Sequence, residues 1–143
     1  MTMRPLIVGE TITTQGRTVG EGDVSLFAGL VGDFTPIHVD ETFAATTPHG
    51  GRIAHGTLTM ATAIGMATHS GLFGERVLGL VNINWDFSGV VKLGDTIRAK
   101  MTVDSVRPTS KPERSLATYG FEVLNQRNES VQRGRMLVIV KSD

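Results

Sequence analysis

A carboxylate and an imidazole lie five positions apart in the segment Gly32-Asp33-Phe34-Thr35-Pro36-Ile37-His38. Gly32 permits a backbone turn that other residues resist, and Pro36 fixes its own φ and favours an extended residue before it. A stiff loop of this kind can position a water molecule between an acid and a base, as general acid–base addition of water requires. Asp33 and His38 are therefore the candidate catalytic pair. The spacing alone leaves open an ordinary turn with a helix-capping Asp and a structural His.

A second candidate is the segment Gly50-Gly51-Arg52-Ile53-Ala54-His55-Gly56, directly before a long apolar stretch. Backbone N–H groups at a helix N-terminus are unpaired and lie at the positive end of the helix dipole. A glycine at this position lets a ligand oxygen approach closely, so the N–H of Gly56 could polarise a carbonyl group. The alternative is a glycine-rich loop that serves only close packing.

Three helices are predicted around these segments. Hydrophobic spacing and capping residues predict an amphipathic helix and a short helix capped by Asp40, separated by a break at Gly32 and Pro36. The third predicted helix has no charged residue, which is typical of a buried helix. An extended segment over 7–19 precedes these helices, which cover Glu21 to Val31, Glu41 to Ala45 and Gly56 to Ser70.

Four strands are predicted after the third helix, because apolar and polar residues alternate in each of them. They cover 77–87, 96–106, 115–124 and 130–141, and Trp85 and Phe87 in the first are expected to be core residues. Strands of about ten residues reach roughly 33 Å, long enough for a twisted antiparallel sheet to curl around a helix. The expected fold is α+β, an antiparallel sheet wrapped around a long central helix, in one domain over 1–143.

Composition excludes several classes of function. Fourteen basic and fourteen acidic residues cancel, so no global field favours nucleic acid or an anionic membrane. The absence of cysteine excludes disulfides, thiolate catalysis and cysteine-ligated zinc. With neither a secretory signal nor an apolar run of the roughly 20 residues that span a bilayer, we expect a soluble, cytoplasmic protein. His38, His49 and His55 lack a carboxylate at a recognised zinc spacing, so no metal is expected.

Together these features resemble the MaoC-like dehydratases, a family of R-specific enoyl-CoA hydratases with a hotdog fold. The family's motif has an aromatic residue, a small residue, Gly-Asp-x-Asn-Pro, an aliphatic residue and His, with a small residue six positions on. The matching residues are Phe27, Gly32-Asp33, Pro36-Ile37-His38 and Ala44, and Ile53-Ala54-His55-Gly56-Thr57-Leu58 is similar to the loop that opens the family's central helix. Val31 replaces a small residue and Thr35 replaces the common Asn. These departures concern substrate preference more than reaction type.

The resemblance implies a hydro-lyase that adds water to a 2-enoyl-CoA or removes it from a 3-hydroxyacyl-CoA. Asp33 and His38 would share one water, and the N–H of Gly56 would stabilise charge on the thioester carbonyl. Substrate contacts are expected from Thr35, Arg52, His55 and Thr57. Coenzyme A is part of the substrate, and no other cofactor is expected. The hairpin that carries Arg107, Lys111 and Arg114 is either a further phosphate contact or a solvated tip.

The resemblance also implies a homodimer or higher oligomer, with two sheets joined edge to edge and an acyl tunnel at the interface. The expected thioester partner is coenzyme A, or alternatively an acyl carrier protein. A hotdog thioesterase would use a carboxylate and the same helix-end N–H, although that class does not usually carry the Asp33–His38 motif. A non-catalytic acyl-CoA binding protein is the third possibility, which Val31 and Thr35 would support and the retained Asp33 and His38 oppose.

Overall fold

The computed structural model describes residues 4–143. Two short strands and four helices precede four long strands, and 3₁₀ turns at 68–70 and 74–76 connect the two parts. The short strands are β1 (Thr11–Thr13) and β2 (Arg17–Thr18), and the helices are α1 (Glu21–Val31), α2 (Pro36–Val39), α3 (Glu41–Ala45) and α4 (Gly56–Ala67). The long strands are β3 (Val77–Phe87), β4 (Thr96–Pro108), β5 (Arg114–Leu124) and β6 (Ser130–Lys141).

The strands form one antiparallel sheet in the order β1-β4-β5-β6-β3, with β2 paired to β4. One face of the sheet packs against α4 and forms the core, because alternate residues of β4, β5 and β6 are buried. Apolar side chains of α4 and the loop after it pack into the same core, among them Ala63, Ala67 and Leu72. The predicted α+β arrangement of an antiparallel sheet and a central helix is confirmed.

Local capping explains the bounds of the first three helices. The Asp23 carboxylate accepts the N–H of Gly20 at 2.8 Å before α1, and Gly32 ends α1 in the left-handed region at φ 78°. Asp40 caps α3 through the N–H of Phe43 at 2.9 Å. The predicted break at Pro36 was wrong. Pro36 begins the helical turn α2, because the first turn of a helix does not need the N–H that proline lacks.

The central helix α4 is not buried on every side, contrary to the prediction. Thr59, Ala63 and Ala67 face the core, whereas small residues on the opposite side are exposed, namely Gly56, Thr57, Ala61 and Gly65. The sheet covers only one side of the helix. The other side, which has no charged residue, is therefore an exposed surface of small uncharged side chains. No helix within residues 4–143 is long and apolar enough to cross a membrane.

The apolar residues of β3 are less buried than their alternation with polar residues predicts, because this strand lies at the edge of the sheet. Trp85 is half-buried and packs against Phe121 with ring centroids 5.4 Å apart, as expected for a core residue. Phe87 is 52% exposed, so its prediction as a core residue was wrong. Two register shifts interrupt the pairing with β6, and the exposed apolar side chains of β3 are Val77, Leu78, Leu80, Val81 and Phe87.

Candidate active site

Two predicted site segments meet beside the N-terminus of α4. Asp33, His38 and His55 each offer a polar side-chain atom, and these atoms all lie within 4.8 Å of one another. Asp33 follows α1, His38 lies in α2, and His55 is the residue before α4. The backbone N–H of Ile53 donates to Ile37 O at 3.1 Å and fixes the loop before α4 along α2. The fold thus brings together residues 22 positions apart in the chain.

The hydrogen bond of His38 defines its tautomer. Its Nδ1 lies 2.7 Å from the backbone oxygen of Ile53, and the side chain is 8% exposed. A carbonyl oxygen only accepts, so Nδ1 carries the hydrogen. In the neutral ring Nε2 therefore has the free lone pair, and this nitrogen is the one that can accept a proton.

Thr35 fixes the carboxylate of Asp33. Its hydroxyl and its backbone N–H both donate to Oδ1, at 2.5 and 3.1 Å. The hydroxyl bond, followed by the backbone bond, lowers the pKa of the Asp33 carboxyl below its ordinary value. Thr35 was predicted to contact substrate, whereas here its hydroxyl is directed at Asp33. Within the described residues, Oδ2 of Asp33 makes no hydrogen bond and is the oxygen left for a ligand.

His55 packs against the proposed catalytic pair. Its ring stacks on that of His38, with centroids 3.9 Å apart and an interplanar angle of 24°, and Phe27 packs on it at 4.9 Å. Its Nε2 lies 3.0 Å from the backbone oxygen of Asp33. His55 was predicted to bind substrate, but only 1% of its surface is exposed. A direct contact with substrate therefore does not fit this structure.

Gly56 begins α4 and is exposed together with Thr57 in the first turn of the helix. The ring of Phe87 lies so close that a Cβ at position 56 would be 2.9 Å from its Cδ1. The carbonyl of Gly56 accepts the Nε2–H of Gln132 at 3.0 Å, and Gln132 Oε1 accepts the indole N–H of Trp85 at 2.9 Å. Sequence reasoning missed Gln132. The only local indication of its role is that it is a polar residue in a largely apolar strand.

The predicted cations lie outside this cluster. Arg52 donates to Glu21 from both terminal nitrogens, at 2.8 and 2.5 Å, and to Glu41 from Nε at 2.5 Å. These bonds raise the pKa of Arg52 and connect α1 to α3, so a phosphate contact would require the ion pairs to open. The strand register places the hairpin of Arg107, Lys111 and Arg114 at the opposite end of the sheet from Phe87 and Gly56. Its side chains are exposed, as expected of a solvated tip.

The stacked rings bear on metal binding by the cluster. The lone pair of an imidazole nitrogen lies in the ring plane, so a bound ion lies close to that plane. The planes of His38 and His55 are nearly parallel and separated by the stack. One ion cannot lie close to both planes unless the stack opens. The geometry therefore favours acid–base chemistry over a shared metal ligand set.

Comparison with known sequences gives a consistent set of relatives. Residues 5–123 match the model of the MaoC like domain. An (R)-specific enoyl-CoA hydratase of Rhodospirillum rubrum is 38% identical over 66% of this chain and 65% of its own length. A 3-hydroxybutyryl-CoA dehydratase of Methylorubrum extorquens is 33% identical over 71% of this chain and 64% of its own. The chain thus spans slightly less than two thirds of these relatives. An (R)-specific enoyl-CoA hydratase of Aeromonas caviae is 34% identical over 85% of this chain and 87% of its own.

Solved structures agree. A monoamine oxidase regulatory protein from Archaeoglobus fulgius superposes with a TM-score of 0.90 and 32% identity, covering 100% of this chain and 99% of its own. The unliganded R-hydratase of Pseudomonas aeruginosa gives a TM-score of 0.82 and 30% identity, covering 96% and 84%. A Mycobacterium tuberculosis protein with a double hotdog fold gives 0.84 at 22% identity, covering 96% and 43%, which bears on the fold alone. The sheet and central helix described above are therefore a hotdog fold.

Proposed function

The chain belongs to the MaoC-like family, and from this premise we propose that it is a hydro-lyase acting on 2-enoyl and 3-hydroxyacyl thioesters of coenzyme A. The names of its hydratase and dehydratase relatives support this reaction class. The observation that carries the proposal is the paired geometry of Asp33 and His38. An ionised carboxylate with one free oxygen lies beside an imidazole whose Nδ1–H is committed to a backbone carbonyl.

In the proposed mechanism one water lies between Oδ2 of Asp33 and Nε2 of His38. As the water oxygen bonds to the β-carbon of the enoyl thioester, Nε2 accepts one of its protons. The electron pair of the double bond moves onto the thioester carbonyl, and the imidazolium then returns the proton to the α-carbon. Asp33 keeps its negative charge, orients the water and stabilises the transient imidazolium. A carboxyl of lowered pKa suits this role better than that of a proton donor.

We further propose that the N–H of Gly56 stabilises the negative charge on the thioester oxygen. It lies in the exposed first turn of α4, at the positive end of the helix dipole. Donors aimed at developing charge contribute about 10² to 10³ in rate in comparable sites. Thr57, exposed in the same turn, is a sequence-predicted substrate contact that is accessible beside this N–H.

A homodimer joined through β3 is part of the proposal. This edge strand exposes a row of apolar side chains as well as unpaired backbone groups, and both favour pairing with a second copy. Phe87 belongs to that strand and contacts Gly56. The proposed interface therefore runs beside the proposed thioester site.

The deciding experiment is the loss of conjugated-enoyl absorbance when the protein meets crotonyl-CoA, followed by longer, branched and carboxylated enoyl-CoAs. Asp33→Asn and His38→Gln are each expected to lower kcat by at least about a hundredfold. Asp86→Asn and His69→Gln are matched exposed controls expected to retain activity. Activity that survives either site substitution would contradict the proposed mechanism.

One observation favours a second candidate, a non-catalytic acyl-CoA binding protein. The Archaeoglobus relative, which superposes over the whole chain, is described as a regulatory protein. The same assays discriminate the candidates. Binding of acyl-CoA without turnover across the panel, unaffected by Asp33→Asn, would support the binding protein. Release of free thiol without loss of the double bond would instead support a thioesterase.

A further inference from the structure

His55 is the buried titratable group that the proposed mechanism does not use. It lies before the first turn of α4, 1% exposed, with its ring in contact with those of His38 and Phe27. It contacts both members of the catalytic pair, His38 through the stack and Asp33 through the backbone oxygen. A side chain with these contacts can determine where the acid and the base lie relative to each other.

The hydrogen bond of His55 defines which ring nitrogen carries its hydrogen. Nε2 lies 3.0 Å from the carbonyl oxygen of Asp33, which only accepts, so Nε2 carries the hydrogen. Nδ1 is fully buried and has no hydrogen-bond partner within the described residues. A hydrogen on Nδ1 would be a buried donor without an acceptor, which is unfavourable. The Nε2–H tautomer leaves only a lone pair unpaired.

We propose that His55 is a positioning residue for the catalytic pair and carries its hydrogen on Nε2. Its hydrogen bond fixes the Asp33 backbone, and its ring supports that of His38, so that Nε2 of His38 and Oδ2 of Asp33 share one water. The role in turnover rests on the proposed hydratase function. The tautomer of His55 does not.

The first test is a two-bond ¹⁵N–¹H spectrum of the imidazole nitrogens, recorded at about pH 8.5, above the ordinary histidine pKa. The chain has four histidines, so His49→Gln and His69→Gln remove two of the four sets of signals without touching the stacked pair. His38→Gln then identifies the signals of His38, and those of His55 remain. The expected result is an Nε2–H pattern for His55, and a hydrogen on Nδ1 would overturn the proposal.

The second test separates the two contacts kinetically. His55→Phe keeps a ring against His38 but loses the donor to Asp33, whereas His55→Gln keeps a donor but loses the stack. Both are expected to lower kcat by about ten- to a hundredfold, the effect of misplacing a catalytic group, with KM within about threefold of wild type. The exposed His69→Gln is the matched control.

A raised KM with unchanged kcat would make His55 a substrate-binding residue and overturn the positioning role, as would unchanged kinetics in both variants. If either variant fails to fold, the other variant and the wild-type spectrum still decide. Failure of the proposed function is distinguishable, because the spectrum needs no substrate. A wild type inert on every enoyl thioester would remove the hydratase, whereas a hydrogen on Nδ1 of His55 would remove the present proposal at any level of activity.

Discussion

Thr35 donates two hydrogen bonds to a single carboxylate oxygen of Asp33, one from its hydroxyl at 2.5 Å and one from its backbone N–H at 3.1 Å. Both bonds favour the ionised carboxylate and lower its pKa, with the hydroxyl as the larger cause. Thr35 stands where the family motif commonly has Asn. The hydroxyl of Thr35 therefore favours the charged form of Asp33 and leaves its Oδ2 free.

Replacing Thr35 with Val should raise the pKa of Asp33, because the variant retains the backbone bond but loses the larger cause of the lowering. A lowered carboxyl pKa adds stability above the unfolded pKa of about 4, which disappears as the pH falls through the folded value. The stability difference between wild type and variant should thus shrink as the solution is acidified. A ¹³C titration of the carboxyl group measures the pKa, and Thr46→Val is the exposed control. An unmoved Asp33 midpoint would refute the hydrogen-bond assignment.

Two glycines of α4 should respond oppositely to alanine. At Gly65 an added Cβ meets nothing within 4 Å, so the substitution should raise the free energy of unfolding by about 0.5–1 kcal/mol. At Gly56 the Cβ would lie 2.9 Å from the ring of Phe87, so overpacking should cost about 1–3 kcal/mol and lower kcat. Urea denaturation and steady-state kinetics check both. Phe87→Ala added to Gly56→Ala should recover stability; equal effects at both glycines would exclude the contact.

Gln132 should be important for stability out of proportion to its size. Its amide joins the indole of Trp85 on β3 to the carbonyl of Gly56 at the start of α4, and it is 1% exposed. Gln132→Leu removes both bonds and leaves the part-buried indole N–H of Trp85 without its partner, a loss of about 1–3 kcal/mol. Trp85→Phe removes one of the two bonds and should cost less. Urea denaturation of both variants and the double variant measures the coupling, and additive effects would disprove the connection.

The proposed dimer predicts that a charge on β3 blocks assembly. Leu80 is 56% exposed, so Leu80→Asp should leave the protomer folded while its carboxylate opposes burial between two copies. Sedimentation velocity should show a dimer for wild type and a monomer for the variant. Val8→Asp, at a similarly exposed apolar position outside the sheet edge, is the control. A wild-type monomer, or a variant that still dimerises, would contradict the proposed interface.

Periodicity predicted the elements well and their exposure less well. The bounds of α1 and α3 match the prediction, and the four long strands lie where alternation placed them. Alternation does not say which strand lies at the edge, because the order β1-β4-β5-β6-β3 arises from pairing between distant segments. The exposure of Phe87 and of one side of α4 follows from that order and could not be read from the local pattern.

The site shows the same division between local and distant information. Asp33 and His38 are close in the chain, so their spacing on a stiff loop indicated a pair. The roles of His55 and Arg52 depend on contacts between segments that are distant in the chain. His55 reaches Asp33 across 22 positions, and Arg52 meets Glu21 across 31. A cation with two acidic partners looks the same in sequence as a cation free to bind phosphate.

Both imidazoles of the cluster are oriented by main-chain oxygens, His38 by that of Ile53 and His55 by that of Asp33. Every amino acid supplies such an oxygen, so the hydrogen bond that defines the His38 tautomer does not depend on the side chain at position 53. Related proteins that carry other apolar residues there would keep the same bond and leave Nε2 of the histidine free. The course of the backbone thus encodes this tautomer, and a record of substitutions would not reveal it.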